Sequence, residues 1–291
     1  MSARSPSGAG RIPIRSQAAE TSSVQSESWS GPSHQPPHGR DGPIVEVDHV
    51  NLNFKKEKGA MQVLVDVSLS AYKDEYVALT GPSGCGKSTL LRIIAGLTKP
   101  SSGVVKFRGE PIQEPRPEVA MIFQNFVLLP WKTSLDNVLF GLSSRNDLRD
   151  DEKKKLASHA LENAGLGGFE NVYPGELSGG MKQRVGIARA LALQPQVLLM
   201  DEPFSALDNL TADRLRKEIF SLLMNPSSSI QTVIMVSHNV EEIVELADRV
   251  VVLSPRPGHV VVDLKIDLPR PRSKKSDEFL LWVDKLYSYL A

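Results

Sequence analysis

The chain holds a single cysteine, Cys85, in 291 residues. No disulfide can form within it, and a reducing compartment is the natural expectation. Neither charge is in excess, since 34 lysines and arginines balance 34 aspartates and glutamates. A nucleic-acid binder should carry a basic excess, so the simplest argument for that class falls away. Nowhere do about eighteen apolar residues run together, so the chain is not expected to span a membrane by itself. The start, MSARSPSGAGRIPIRSQ, lacks the apolar centre of a secretory signal. Its arginines and serines leave two readings, an organellar transit peptide or a plain disordered tail, and the composition favours the tail. No internal repeat is visible.

What is present has the balance of a globular protein, 41% hydrophobic and 23% charged. Residues 1–43 are dominated by Ser, Pro, Gly and Gln and cannot bury enough apolar surface to offset their ordering entropy. They are expected to form a disordered tail. IVEVDHVNLNF and QVLVDVSLSAY alternate with period two, as half-buried antiparallel strands do. YVALT, VLLMD, TVIMVSH and RVVVLS are instead nearly unbroken apolar runs, which suits strands of a parallel sheet covered on both faces. Between these sets, DEKKKLASHALENAGL places Leu156, Ala157, Ala160, Leu161 and Ala164 on one helical face. MKQRVGIARALAL reads as a second helix, with Pro195 helping to end it. A helical insertion within an α/β domain is expected, at about residues 126–190.

GPSGCGKSTLL follows the apolar run EYVALT and precedes a helical pattern. Gly81, Gly86, Lys87 and Ser88 match G-x-x-x-x-G-K-[ST] in the strand-to-helix context that gives this motif its meaning. Glycines let the backbone adopt conformations closed to other residues and turn its N–H groups around phosphate oxygens. The following helix aims its positive end at the same place. Lys87 can neutralise the β- and γ-phosphates, and the Ser88 hydroxyl can ligate magnesium. The run Gly81, Pro82, Ser83, Gly84, Cys85, Gly86, Lys87, Ser88 and Thr89 is therefore expected to hold a nucleoside triphosphate. Cys85 within it admits a redox role through a helix-lowered pKa, but its small size suffices to explain it.

Further on, VLLMDEP ends a buried run in Asp201 and Glu202. Ligands of open α/β sheets gather at the carboxyl ends of strands, where the phosphate loop also sits. Two adjacent acids there can divide the labour, Asp201 holding magnesium and Glu202 polarising the attacking water. In ELSGGMKQR, Ser178, Gly179 and Gly180 open a helix and form a second N-terminus suited to phosphate. One nucleotide cannot easily engage two such loops of one chain, so a second copy of the protein would supply the other.

That phrase resembles the signature of the ATP-binding cassette (ABC) ATPases, and the rest of that family's pattern follows in order. Gln124 in MIFQN resembles the glutamine that senses magnesium and attacking water and links the site to the membrane partner. SALD, ending at Asp208, resembles the loop lining the dimer seam. His238 in MVSHN resembles the histidine that contacts the γ-phosphate, and Phe54 occupies the place of the aromatic that stacks on adenine. The resemblance covers residues 44–267. It implies an α/β fold: a P-loop NTPase domain with a RecA-like core, an antiparallel β subdomain and a helical subdomain. It also implies ATP and Mg2+ as cofactors, and catalytic roles for Glu202, His238 and Gln124.

Each motif occurs once, so the resemblance implies a homodimer of ATPase subunits, or a pairing with a homologue, at the cytoplasmic face of the plasma (inner) membrane. Separate integral-membrane permease subunits and a solute-binding protein would complete the assembly, with no nucleic acid. LLPWKTSLDNVLFGL and SHNVEEIVELADRVVVLSPRPG are most similar to importer ATPases of the nitrate, sulfonate, taurine and bicarbonate group, although Asn239 departs from the aspartate usual after the histidine. Trp131 lies where such ATPases dock a short helix of the permease, with a core aromatic as the alternative reading. A soluble ABC ATPase without a transport role, acting on ribosomes or DNA ends, is the rival, but no second cassette, basic linker or coiled coil is present. In residues 268–291, LPRPR reads as a stiff extended linker. DEFLLWVDKLYSYLA then reads as an amphipathic helix with Phe279, Val283, Leu286, Tyr287 and Leu290 on one face, packed on its own domain.

Overall fold

The computed structural model describes residues 42–56, 59–205, 212–213, 216–217, 219–221 and 228–290. The expected N-terminal tail falls almost wholly outside the described residues. Two sheets form the frame. In the first, β1 (Val45–Lys56), β2 (Gly59–Ala71), β4 (Ser102–Phe107) and β5 (Glu110–Pro111) pair antiparallel in the order β2-β1-β4-β5. The period-two alternation of β1 and β2 is met by burial of Val45, Val47, Val50, Val63, Val67 and Leu69.

The second sheet holds β3 (Glu75–Thr80), β6 (Val119–Ile122), β7 (Val197–Asp201), β8 (Thr232–Val236), β9 (Arg249–Leu253) and β10 (Val260–Lys265), in the order β10-β9-β3-β8-β7-β6. Its strands run parallel from β9 to β6, and β10 closes the edge antiparallel. Strands β3, β7, β8 and β9 are buried at every position, as unbroken apolar runs require. Three charged residues are buried with them, Asp201 at the end of β7 and two that pair. Glu75 on β3 accepts from Arg249 Nε at 2.6 Å, and Arg249 Nη1 donates to Asp263 on β10, also at 2.6 Å. Arg249 is 1% exposed, so this ion triad pins three adjacent strands where an unpaired charge would be costly.

One apolar cluster joins α1 (Lys87–Ile94), through Leu90, Leu91, Ile93 and Ile94, to residues of both sheets. A second gathers α5 (Val240–Leu246) and the C-terminal helix α6 (Asp277–Leu290) with residues of the six-stranded sheet. A third lies among α2 (Ser134–Gly141), α3 (Asp150–Asn163) and α4 (Gly179–Ala192). There Ala157 and Leu161 of α3 meet Val185 and Ala188 of α4, as the sequence periodicity anticipates. The starts of α2 and α4 are fixed by N-caps: the Thr133 and Ser178 hydroxyls accept from the Asp136 and Met181 amides, at 3.1 and 3.3 Å.

One expectation for the C-terminal region needs correction. Helix α6 buries Phe279, Val283 and Leu286 but leaves Tyr287 55% exposed, and Trp282 takes part in the buried side instead. LPRPR carries no helix or strand and is anchored by its side chains. Its arginines fold back on the end of α5: Arg272 Nη1 donates to Val244 O (2.7 Å) and Ala247 O (2.5 Å), and Arg270 donates to Leu246 O. These carbonyls lack helical partners, so cationic donors there satisfy both the hydrogen bonds and the helix dipole. Burial, with help from Arg270, lowers the Arg272 pKa to about 10.

Candidate functional site

After β3 ends at Thr80 the chain turns through Gly81 to Gly86 and enters α1 at Lys87. Gly81 has φ +141°, and a Cβ there would lie 2.5 Å from Leu253 O. Gly86 has φ +112°, and its Cβ would meet Leu64 Cδ2 at 2.6 Å. The loop is thus squeezed between β9 and β2, and only glycine fits those two positions. Lys87 is only 7% exposed, and its Nζ donates to Gly81 O (2.7 Å) and Pro82 O (3.0 Å). The ammonium is held by neutral carbonyls at a helix N-terminus, an arrangement that favours a bound anion. Cys85 is fully buried, with its Sγ 3.9 Å from Lys87 Nζ. Packing explains its small side chain.

Ser88 Oγ donates to Asp201 Oδ1 at 2.7 Å. Asp201 ends β7 and is 2% exposed; burial raises its pKa above the ordinary carboxylate value, against the pull of the Ser88 hydrogen bond. A hydroxyl beside a carboxylate is the hard oxygen pair that magnesium accepts. Among the described residues no group of three or more His, Cys, Asp and Glu could hold a metal ion. The pair fits an ion that takes its other ligands from phosphate and water.

Glu202 follows at φ +46°, its amide donating to Val236 O at 3.0 Å. Its Oε2 accepts from Gln124 Nε2 at 2.8 Å and stands 3.4 Å from His238 Nδ1. Gln124, Glu202 and His238 follow β6, β7 and β8 respectively, so three neighbouring parallel strands deliver them to one edge. Asn239 then caps α5, its Oδ1 accepting from the Glu242 amide at 3.2 Å. Asparagine and aspartate serve this position about equally, so its departure from the usual aspartate is structurally neutral. The His238 turn is backed by buried Glu242, which accepts from Ser237 Oγ and, at 3.2 Å, from Arg216 Nε.

A cavity of about 530 Å³ brings these groups together: Phe54, Gly81, Ser83, Gly84, Gly86, Lys87, Ser88, Thr89, Gln124, Glu202 and His238 all line it. Asp201 enters through Ser88. Ser178, Gly179 and Gly180 do not line it; Ser178 and Gly179 are exposed at the start of α4. Asp208 lies outside the described residues. Sequence reasoning missed several contributors. Arg256 and Met61 share the cavity wall. In addition, Arg189 of α4 donates to Phe126 O (3.0 Å) and Val127 O (2.7 Å), holding the segment just after Gln124. The only local signal for Arg256 was the turn composition SPRPG, which says nothing of a nucleotide.

The chain is 42% identical over 246 residues to an uncharacterized ABC transporter ATP-binding protein of Methanocaldococcus jannaschii, covering 84% of this chain and 91% of the relative. The chain belongs to the ABC transporter family. That family's sequence pattern, described as ABC transporter, matches residues 64–205. Arg256 lies beyond that stretch. The nitrate import ATP-binding protein NrtD of Synechococcus elongatus is 41% identical over 235 residues, with 80% of this chain and 85% of the relative covered. The aliphatic sulfonates import ATP-binding protein SsuB of Bacillus cereus is also 41% identical over 235 residues, with coverages of 81% and 91%. Among solved structures, the ATP-binding cassette MJ0796 in a dimeric post-hydrolysis state bound to ADP and Pi superposes with a TM-score of 0.68 at 31% identity. That superposition covers 78% of this chain and all of the cassette. The fold is that of a P-loop ABC ATPase, and ATP hydrolysis is its chemistry.

Proposed function

We propose that this ABC ATPase works as a homodimer that powers import of a small anion of the nitrate, sulfonate, taurine or bicarbonate kind through separate permease subunits. The importer names of its relatives support the substrate class. The observation that carries the dimeric mechanism is the division of the site. Lys87, Ser88, Gln124, Glu202 and His238 line one cavity, whereas Ser178 opens α4 on exposed surface away from it. A triphosphate in the cavity would be gripped by Lys87 and the loop amides, with Phe54 against its base, and capped by Ser178 and Gly179 of a second copy. Ser88, Asp201 and Gln124 would hold magnesium, which when bound offsets phosphate charge. Glu202 would take a proton from the attacking water, and Gln124 and His238 would orient its carboxylate and contact the γ-phosphate. Asp208 would line the seam between copies. Chemistry of this kind is largely positioning and charge stabilisation.

Among the described residues no helix is long and apolar enough to cross a membrane. A peripheral position on the cytoplasmic face of the plasma (inner) membrane, against a permease fed by a solute-binding protein, completes the reading. Trp131 is 71% exposed, with Val127 and Phe140 each 52% exposed. It is not a core aromatic, and this apolar surface just after Gln124 is where a permease helix would dock. The test is a disulfide trap: Ser83→Cys with Ser178→Cys in a Cys85→Ser, Glu202→Gln background. ATP should drive formation of a crosslinked dimer, and ADP should not. Failure to crosslink under saturating ATP defeats the shared-site mechanism.

A further inference from the structure

We infer that Arg256 is a nucleotide-positioning residue, a second cation of the triphosphate site that acts on the phosphate loop through Gly84 and on the nucleotide side away from the reacting phosphate. The inference rests on the reading of the cavity as a nucleotide site.

The turn between β9 and β10, residues 254–259, is wedged against that loop. Gly258 exchanges backbone hydrogen bonds with β2, its N–H donating to Val63 O and its carbonyl accepting from Val65 N, both at 2.9 Å. A Cβ on Gly258 would lie 2.2 Å from Cys85 O, so the turn touches the phosphate loop through a position that admits no side chain. Ser254 closes the turn from within, its N–H donating to His259 O at 2.9 Å and its Oγ accepting from His259 N at 3.0 Å. Prolines 255 and 257 flank Arg256 and restrict its backbone before any ligand arrives. The side chain itself is held by its two bonds to Gly84 O, so part of its ordering precedes binding.

What Arg256 holds is specific. Nε and Nη2 both donate to Gly84 O, at 3.0 and 2.8 Å, and Nη1 stands 3.4 Å from the sulfur of Met61. These partners are a carbonyl oxygen and a thioether rather than a carboxylate, at the wall of a cavity suited to a polyanion. Through Met61 it belongs to the wall that includes Phe54. Gln124 and His238, each set against Glu202 Oε2, form a separate group within the same cavity. A cation placed on the former wall feels the portion that ATP and ADP share. It should strengthen both alike and leave the chemical step untouched.

The test is steady-state ATP hydrolysis with ADP inhibition for wild type, Arg256→Ala and Arg256→Lys, each with a melting curve. Arg256→Ala should raise KM for ATP and Ki for ADP by the same factor, about tenfold for one charge-assisted contact, with kcat unchanged. Arg256→Lys, keeping the charge, should recover part of both losses. Unchanged KM and Ki beside a lowered Tm would make the turn merely structural, and a fall in kcat alone would move Arg256 to the chemistry; either overturns the inference. Lys87→Ala run in parallel separates the premises. If it too leaves nucleotide affinity unchanged, the nucleotide reading of the cavity fails rather than the role of Arg256 within it.

Discussion

Replacing Glu202 by glutamine isolates the proposed proton acceptor from everything that places it. The backbone of Glu202 is fixed independently of its side chain: its amide donates to Val236 O, and its own carbonyl accepts from Ser205 Oγ at 3.0 Å. Gln124 Nε2 reaches Oε2 at 2.8 Å, and a carboxamide oxygen at the same point can accept that bond. The substitution therefore keeps shape and removes basicity. Loss of a positioned general base costs about 10² to 10⁴ in rate, or about 3–5 kcal/mol of barrier. ATP affinity should hold or improve, because a negative charge has left the neighbourhood of the polyphosphate. In water two such charges about 4 Å apart repel by only about 1 kcal/mol, so any gain in affinity is less than about tenfold. Phosphate release, nucleotide retained after gel filtration, and dimer mass measured on one sample read all three quantities. Slow release with retained ATP and a dimer is the expected outcome. Phosphate release at the wild-type rate would refute the assignment of Glu202 as base. Slow release without retained ATP would show that the carboxylate serves binding instead.

Burial raises the Asp201 pKa in the folded chain, so its contribution to stability is present at low pH and lost as pH rises through the folded value. Asp201→Asn should remove that loss, raising Tm of the nucleotide-free protein by about 1–3 °C near neutrality. The difference should close toward about pH 4, while magnesium-dependent hydrolysis falls; a difference that widens on acidification contradicts the sign. Trp131→Ala, at an exposed position, should leave Tm and the isolated ATPase rate unchanged. It should weaken permease co-purification by about thirtyfold or more, as loss of an interface anchor does. Leu286→Ala opens a hole beneath a fully buried side chain and should cost about 2–5 kcal/mol, seen as a clear drop in Tm. Tyr287→Ala on the same helix should shift stability by less than about 0.5 kcal/mol.

That last contrast marks where reading a sequence by periodicity stops. At about 100° per residue, Val283, Leu286 and Leu290 fall within about 40° of Phe279 on the helical wheel, but Tyr287 stands about 80° away. The buried stripe extends the other way, toward Trp282. Strands were easier. A run buried on both faces has no polar side to misplace, and β3, β7, β8 and β9 were each visible in the sequence. Their lateral order was not, because nothing local tells β3 to lie between β9 and β8. The anchoring of LPRPR was hidden for a related reason. Its prolines speak of local stiffness, whereas its arginines answer to unpaired carbonyls at the end of a helix some 25 residues earlier.

The same distinction separates the parts of the site. A phosphate loop is legible because its demands are local: glycines where a Cβ would strike Leu253 or Leu64, then a lysine and a hydroxyl at the start of a helix. Gln124, Glu202 and His238 were legible only as members of an ordered set, since each alone is an ordinary polar residue at a strand end. Their convergence on one carboxylate oxygen comes from the adjacency of β6, β7 and β8. Arg256 belongs to neither case. Its partner Gly84 lies 172 positions away, and the contact exists because β9 sits beside β3 and returns the next turn to the loop that β3 launched. A residue that reaches a site through strand order rather than through a motif leaves no mark in the sequence around it. Sites built on parallel sheets should therefore be searched first at turns leaving the strand next to the one that carries the phosphate loop.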